Sequence, residues 1–385
     1  AVNALQSRAS DIHIEAGSQG TLVRIRVDGL LQMQAQFDLQ FHERLITRIK
    51  ILARLDIAEK RLPQDGRLLI GLNFVNPNID CRVSILPTLY GEKAVIRILP
   101  NCINELAIEQ VGLLPKQLEI FKSALKQANG LILVTGPTGS GKTRTLYSCL
   151  RTLNQSHRNL CSVEDPVEIR LPGVNQVAYH PRSGLDFPTI IRALLRQDPD
   201  VIMIGEIRDS ATAQLAIQAA QTGHLVLSTL HTNDAPSTLA RLRHMGIAAF
   251  NVAASVNLIT AQRLIRRLCD KCKSPLDAEQ TAFFFNTLTP QDSQAIPADS
   301  RAHATLYKAV GCHACDKGYK GRIGIYQVMP VSDAMQTCII RDNDTQTLAA
   351  QAALEGVRTL RQAGWLKVLQ GITTMDEVMA LTNHG

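Results

Sequence analysis

The glycine-rich segment at residues 136–143 constrains the fold of this chain more than any other feature. It has the spacing Gly-x-x-x-x-Gly-Lys-Thr, and it lies between the apolar run Leu131–Val134 and the helix-like stretch Arg144–Leu153. In a strand–loop–helix unit, such a loop binds phosphate because its backbone N–H groups and the helix N-terminus face the anion. The alternative is a glycine-rich turn that joins a strand to a helix by chance. The flanking strand and helix favour the phosphate-binding loop.

The loop provides candidate ligands for a nucleotide and for a magnesium ion. Lys142 is predicted to reach the β- and γ-phosphates, and the Thr143 hydroxyl is predicted to ligate Mg²⁺. The loop sequence by itself does not distinguish ATP from GTP. The predicted nucleotide-binding residues are Gly136, Pro137, Thr138, Gly139, Ser140, Gly141, Lys142, Thr143 and Arg144.

Two further apolar runs indicate that the loop belongs to a parallel sheet. Val201–Ile204 and Leu225–Thr229 lack the alternation of polar and apolar residues that half-exposed strands have, and a helical pattern follows each of them. Strands that are buried on both faces of a parallel sheet have this composition. We therefore predict an α/β fold with a RecA-like P-loop core over residues 116–265.

The chain before this core predicts a smaller α+β domain, of PAS-like type, at residues 1–100. Apolar residues alternate from Ser10 to Gln32, which indicates strands, and they have helical spacing from Phe41 to Asp56. Asp65-Gly66 is typical of a hairpin turn. We interpret residues 101–115 as the linker between the two domains.

Polar residues at the ends of the predicted strands are candidates for chemistry at the phosphate. A nucleotide hydrolase needs a carboxylate near a strand end to hold the metal or to orient the attacking water. Glu164 follows a short apolar run, and Glu206 follows Val201–Ile204. We assign Glu164 to the water and Glu206 to the metal and its water, with an exchange of these roles or solvated loop carboxylates as alternatives. His231 follows Leu225–Thr229, where a γ-phosphate sensor would lie, although a lone histidine is more often a packing or surface residue.

The succession of these motifs resembles that of the secretion ATPases that power type II secretion and type IV pilus assembly. The resemblance extends from residue 9 to about residue 330, and Cys81–Lys93 and Ala219–His224 are more similar to the pilus-assembly members. The matching segments are Ala9–Glu15, Arg61–Arg67, the loop at 136–143, Glu164-Asp165, Leu195–Asp200, Gly205–Asp209 and Thr222–Asp234.

This resemblance implies a cytoplasmic, hexameric motor that hydrolyses ATP at sites between subunits. It also implies an inner-membrane platform protein as partner, through which the chain would be peripheral to the inner membrane. Arg67 and Arg82 match arginines of the family's first domain that approach the phosphates, whereas spacing alone would leave them as surface arginines. The family has glycine where many P-loop enzymes carry a metal-binding aspartate, and this chain has Gly205 there.

Four cysteines form two Cys-x-x-Cys pairs that predict a structural zinc site. The pairs are Cys269 with Cys272 and Cys312 with Cys315, and residues 273–311 lie between them. Four thiolates close a tetrahedral Zn²⁺ site, which leaves no open position for catalysis. The alternatives are two disulfides or a redox pair. We predict a tetracysteine module at residues 266–327 with a looped-out insertion at 283–302, followed by helices over residues 328–385. The family's assembly and export members carry such a module.

Composition narrows the class of protein and its compartment. Hydrophobic residues make up 45% of the chain and charged residues 19%, which is typical of globular domains rather than disordered or coiled-coil chains. The apolar stretch Met245–Ala261 is interrupted by polar residues and is too short to span a bilayer. An odd count of nine cysteines, five of them scattered, favours a reducing compartment. The opening Ala1–Leu5 indicates a sequence that begins inside a longer protein, without a signal peptide.

Two other functional classes compete with a secretion motor. The net charge of +7 and the cysteine pairs would also suit a nucleic-acid translocase, but aromatic residues make up only 4% of the chain and no basic–aromatic stripe is visible. We therefore expect no direct nucleic-acid partner. The other alternative is a nucleotide-binding scaffold with little turnover.

Overall fold

The computed structural model describes residues 2–7, 9–70, 79–98, 107–180, 183–297, 301, 304–341 and 344–382. Its internal contacts divide the chain into two compact units, Ala1–Ile103 and Asn104–Gly385. The described part of the predicted linker packs within the second unit, because Ile108 and Val111 are buried in its apolar core. Residues 101–106 lie outside the described residues. The domain bounds drawn from the sequence therefore stay a prediction.

The first unit is built on a six-stranded antiparallel sheet. Its strands are β1 Asp11–Gly17, β2 Gly20–Val27, β3 Leu30–Phe37, β4 Gln64–Ile70, β5 Ile79–Thr88 and β6 Gly91–Ile98, and its helices are α1 Val2–Gln6 and α2 His42–Leu52. The strand order is β3-β2-β1-β6-β5-β4. Ile46 and Ile49 of α2 join the apolar cluster formed by one face of the sheet, so a helix covers the sheet as the spacing predicted, although Leu52 of the predicted apolar stripe is exposed.

The hairpin predicted at Asp65-Gly66 is wrong. Both residues lie inside β4, where Asp65 pairs with Ser84 and Gly66 with Val83 of β5. Glycine is required there because a Cβ atom would lie 2.8 Å from the Ala53 carbonyl oxygen. An Asp-Gly pair is thus compatible with a close helix–strand contact as well as with a turn.

The second unit is built on a seven-stranded sheet. Its strands are β7 Gly130–Thr135, β8 Leu160–Glu164, β9 Val174–Ala178, β10 Val201–Ile204, β11 Leu225–Leu230, β12 Val256–Leu268 and β15 Tyr319–Pro330, and a separate pair is formed by β13 Ser274–Pro275 and β14 Tyr307–Lys308. The sheet order is β15-β12-β7-β11-β10-β8-β9, with all neighbours parallel except β12 and β15.

Both faces of this sheet are covered by helices. The helices of the second unit are α3 Pro115–Leu125, α4 Lys142–Leu153, α5 Phe187–Leu194, α6 Ser210–Gln221, α7 Ala235–His244, α8 Ala249–Ser255, α9 Ala278–Thr287, α10 Pro290–Ala295, α11 Asp333–Ile340, α12 Thr345–Leu354, α13 Leu360–Leu369 and α14 Met375–Thr382. Leu131 and Leu133 join one apolar cluster, and Ile132 and Val134 join another. Because successive side chains of a strand point to opposite faces, β7 is buried on both, which explains its unbroken apolar run.

The region between the two cysteine pairs is more ordered than its composition predicted. The looped-out insertion at 283–302 begins inside α9 and contains α10, so the prediction of a loop is wrong for these helices. Phe284 of α9 is buried against Trp365 in a small apolar cluster, and this contact with a distant helix stabilises α9. The predicted C-terminal helices are present as α11–α14.

No helix among the described residues is both long enough and apolar enough to cross a membrane. The stretch Met245–Ala261, which the sequence analysis singled out, contains α8 and the first part of β12 instead.

Candidate functional site

The loop at residues 136–143 joins β7 to α4, as the sequence predicted. Gly136, Gly139 and Gly141 have φ angles of 147°, 80° and 91°, which L-residues with a side chain rarely adopt. At Gly136 a Cβ atom would lie 2.5 Å from the carbonyl oxygen of Gln262. At Gly139 there is open space around the position of a Cβ atom. The glycines therefore allow both the tight path of the loop and close approach of a ligand to its backbone.

Gln262 of β12 holds the loop, although no sequence motif marked it. This buried amide donates from Nε2 to the Ser140 carbonyl oxygen at 2.7 Å and accepts from Thr145 Oγ1 at 2.8 Å. It therefore links the loop and the first turns of α4 to a neighbouring strand. Because β12 carries several other polar residues, among them Arg263 and Arg266, nothing in the sequence singles out Gln262.

Lys142 begins α4 and turns back onto the loop. Its Nζ donates to the carbonyl oxygens of Gly136 at 2.8 Å and Pro137 at 3.1 Å. Burial lowers the pKa of Lys142 to about 8, the Glu206 carboxylate opposes this shift, and the Arg263 guanidinium adds to it. A negatively charged ligand beside Nζ would favour the protonated amine and so raise its pKa.

The residues around the loop fit a phosphate group. The Ser140 hydroxyl is buried and makes no hydrogen bond within the described residues. The Thr143 side chain is exposed at the start of α4, where the N–H groups of the first turn lack intrahelical partners. A bound anion would satisfy these donors together with the Lys142 ammonium. The donor set is that of an anion site with a hydroxyl available for a divalent cation.

Glu206 lies just beyond the C-terminal end of β10, the strand that pairs with β11. The backbone before it is fixed because Gly205 N donates to the Val163 carbonyl oxygen at 2.8 Å and Thr229 Oγ1 donates to the Gly205 carbonyl oxygen at 2.7 Å. A Cβ atom at position 205 would lie 3.2 Å from the Val163 carbonyl oxygen. The close packing of β10 on β8 thus gives a physical reason for glycine at this position.

The Glu206 carboxylate is partly exposed and has two basic neighbours. One oxygen accepts a hydrogen bond from Arg208, and the other lies 3.4 Å from His231 Nε2. Arg208 also donates to Asp165 Oδ2 at 3.2 Å, which connects β10 to the segment after β8. The structure therefore brings Glu206 and His231 together, and the effect of Glu206 on the pKa of Lys142 joins them electrostatically to the loop.

Glu164, the other predicted carboxylate, has a different environment. Its side chain is only 3% exposed. It accepts hydrogen bonds from Tyr147 at 2.5 Å, from Ser162 at 2.6 Å and from Gln176 at 3.0 Å. Both carboxylate oxygens are therefore occupied by protein donors. The sequence marked Glu164 as a strand-end residue but did not reveal these partners.

Arg67 and Arg82 lie in the first unit, directly opposite each other on β4 and β5. Arg82 also faces Arg97 of β6, which donates to Asp11 at 2.9 Å. Arg67 also has an acidic neighbour, since its guanidinium lies 4.0 Å from Asp80 Oδ2. The predicted approach of Arg67 and Arg82 to the phosphates stays a prediction.

The four predicted zinc ligands converge. Their Sγ atoms all lie within 4.8 Å of one another, and Cys269–Cys312, Cys272–Cys315 and Cys312–Cys315 are 4.0, 3.6 and 3.6 Å apart. Four sulfurs about 2.3 Å from a central zinc would have edges of about 3.8 Å, so the cluster fits a tetrahedral site. The antiparallel pairing of Leu268 with Tyr319 explains the convergence, because it brings both cysteine pairs to one end of β12 and β15.

Comparison with known proteins agrees with this architecture. The type IV pilus assembly ATPase PilB of Acinetobacter baylyi is 47% identical over 383 residues, which are 100% of this chain and 65% of that protein. The type II secretion system protein E of Pseudomonas aeruginosa is 42% identical over 99% of this chain and 74% of that protein. The chain spans 65–66% of the length of the pilus-assembly relatives from Acinetobacter baylyi, Pseudomonas aeruginosa and Myxococcus xanthus.

Structural comparison supports the predicted mixed α/β class. The crystal structure of the Legionella pneumophila ATPase DotB has a TM-score of 0.72 and 18% sequence identity, and the match covers 100% of this chain and 94% of that one. This likeness supports the fold. The family model described as Type II/IV secretion system protein matches residues 1–380, which confirms the resemblance found in the ordered motifs. The chain therefore belongs to the type II/IV secretion system protein family.

Proposed function

We propose that this chain is the catalytic part of a motor ATPase that binds Mg·ATP and hydrolyses it. The observation that carries the proposal is the arrangement around the loop at residues 136–143. The buried Ser140 hydroxyl and the Lys142 ammonium lie there, and the strand-end carboxylate of Glu206 acts electrostatically on Lys142. The names of the relatives, which include assembly and secretion ATPases, support the same activity.

The residues of the chain have distinct roles in this proposal. The loop backbone and Lys142 bind the β- and γ-phosphates, and Thr143 offers its hydroxyl to Mg²⁺, which supplies charge neutralisation when bound. Arg67 and Arg82 are candidates for pairing with phosphate oxygens, because the planar guanidinium matches their geometry. Phosphoryl transfer needs little covalent help, so positioning and charge stabilisation provide most of the rate.

Glu206 is the better candidate for the water-orienting carboxylate, and we propose it for this role in place of Glu164. A general base needs an oxygen within reach of the attacking water. Glu206 is partly exposed beside His231, whereas Glu164 is buried with donors on both oxygens. His231 would then orient Glu206 or report on the γ-phosphate.

The proposed biological role is type IV pilus assembly or type II secretion, and we infer a homo-hexamer that acts on an inner-membrane platform protein. These inferences rest on the family and on the names of the relatives. In this role the chain is cytoplasmic and peripheral to the inner membrane. We expect no direct nucleic-acid partner.

Measurement of ATP turnover tests the proposal against its alternatives. We expect Mg²⁺-dependent release of phosphate from ATP that rises when a platform protein is added and that DNA leaves unchanged. Stimulation by DNA with a strong dependence on salt would instead identify a nucleic-acid translocase. Binding of ATP without turnover under every condition would identify a nucleotide-binding scaffold.

We also propose that the four-cysteine cluster holds a structural zinc ion. The chain purified without chelators is expected to contain about one zinc ion, because the sulfur positions suit tetrahedral coordination. Cys312→Ser should lose most of this zinc and unfold at a lower temperature, whereas Cys338→Ser, outside the cluster, should keep it. Elemental analysis and thermal unfolding measure both effects. Equal zinc content in the two variants would refute the assignment.

A further inference from the structure

Tyr147 lies on α4, the helix that begins with the lysine of the phosphate loop. Its side chain is fully buried, and its hydroxyl donates to Glu164 Oε2 at 2.5 Å. The Tyr147 hydroxyl oxygen also accepts hydrogen bonds from the backbone N–H groups of Glu168 at 3.1 Å and Ile169 at 3.2 Å. A phenol can donate once and accept twice, so all hydrogen-bonding capacity of Tyr147 is used. One side chain therefore joins α4, the end of β8 and the segment at 165–169.

The partner of Tyr147 is itself fixed. Glu164 Oε1 accepts from Ser162 and Gln176, and Gln176 also donates to the Ile169 carbonyl oxygen at 3.0 Å. In a buried network, a displaced member leaves charged or polar atoms without partners, which is costly. We therefore expect the hydrogen-bonded side chains of this network to move as one unit.

A chain of contacts leads from this network to the candidate catalytic carboxylate. Asp165 follows Glu164 directly and binds Arg208 at 3.2 Å, and Arg208 binds Glu206. The segment that Tyr147 holds is therefore two side-chain contacts away from Glu206. The helix that carries Tyr147, α4, begins at Lys142 of the phosphate loop. Tyr147 thus connects the phosphate-binding end of the site to its carboxylate end through the interior of the domain.

We propose that Tyr147 is a positioning residue that acts through Glu164. When nucleotide binding displaces α4, Tyr147 transmits this displacement to the segment at 165–169, and the segment in turn fixes the positions of the Arg208 and Glu206 side chains. This proposal rests on the proposed function, because it assigns Tyr147 to the turnover of that site. It gives Glu164 a role other than contact with the attacking water. Contacts that switch together in this way are the physical requirement for coupling between separate parts of a site.

Hydrogen exchange tests the coupling without any need for turnover. In the unmodified chain, a non-hydrolysable ATP analogue is expected to slow exchange of the Glu168 and Ile169 amides, which donate to Tyr147. In Tyr147→Phe, this response should be lost while the analogue still protects the loop at 136–143. The same response in both proteins would overturn the proposal. If Tyr147→Phe does not fold, Glu164→Gln, which weakens the same bond, must lose the response instead.

Kinetics separates positioning from a structural role. Tyr147→Phe is expected to lower kcat about tenfold while KM for ATP changes less than about twofold, because the phosphate ligands are intact. The matched control is Tyr319→Phe, which removes a buried hydroxyl bonded to Thr374 at 2.8 Å in the cysteine module, and it should leave kcat unchanged.

A Tyr147→Phe and Glu164→Gln double variant should be no slower than Glu164→Gln alone. Additive losses, or equal losses in both tyrosine variants, would refute the proposal. Absence of turnover in the unmodified chain would refute the proposed function, and the exchange response would still decide the coupling.

Discussion

Lys142→Ala is expected to lower the rate of ATP hydrolysis about a thousandfold or more, which corresponds to about 4 kcal/mol of transition-state stabilisation. Lys142 is the only side-chain ammonium of the phosphate loop, and charge develops on the phosphoryl oxygens during transfer. Alanine is a good helix former, so α4 should still begin at this position. Steady-state phosphate release and ATP binding together measure the effect.

The folded state should tolerate this change. Lys142 is held on two carbonyl oxygens, and burial lowers its pKa to about 8, so its charge is partly desolvated and contributes little to stability. Lys126→Ala is the matched control, because Lys126 is exposed at the end of α3. This control should retain full turnover and the same unfolding temperature. Normal ATPase activity in Lys142→Ala would refute the assignment of the loop.

The parts of the site that were predicted from sequence are those that local spacing encodes. The loop at 136–143, the strand-end position of Glu206 and the two cysteine pairs depend on residues close together in the chain. Apolar runs alone identified β7, β10 and β11, because strands buried on both faces need no polar residues.

The parts that were missed depend on contacts between distant segments. Gln262 supports the loop from a strand more than a hundred residues later, so no local pattern marks it. In the sequence, Tyr147 cannot be distinguished from an ordinary aromatic core residue of a helix. Only the fold reveals its three hydrogen bonds. The wrong turn at Asp65-Gly66 has the same origin, because the glycine is required by contact with Ala53 rather than by chain reversal.

Glu206→Gln is expected to lower kcat at least about a hundredfold with little change in ATP binding. The amide keeps the size of the side chain but has neither the charge nor the basicity needed to orient and deprotonate water. The loop and Lys142 remain intact, so the nucleotide should bind as before. Glu119→Gln, at an exposed position on α3, is the matched control and should be fully active.

The comparison of Glu206→Gln with Glu164→Gln decides between the two carboxylates. If Glu164 acts only by positioning, its glutamine variant should retain at least about ten times the kcat of Glu206→Gln, because a positioning contact is lost rather than the base itself. The single-turnover rate with ATP bound is the appropriate measurement, since it excludes product release. The opposite order would make Glu164 the water-activating residue. Because this carboxylate is buried behind Tyr147, the network would then have to open during the reaction for Glu164 to reach the water.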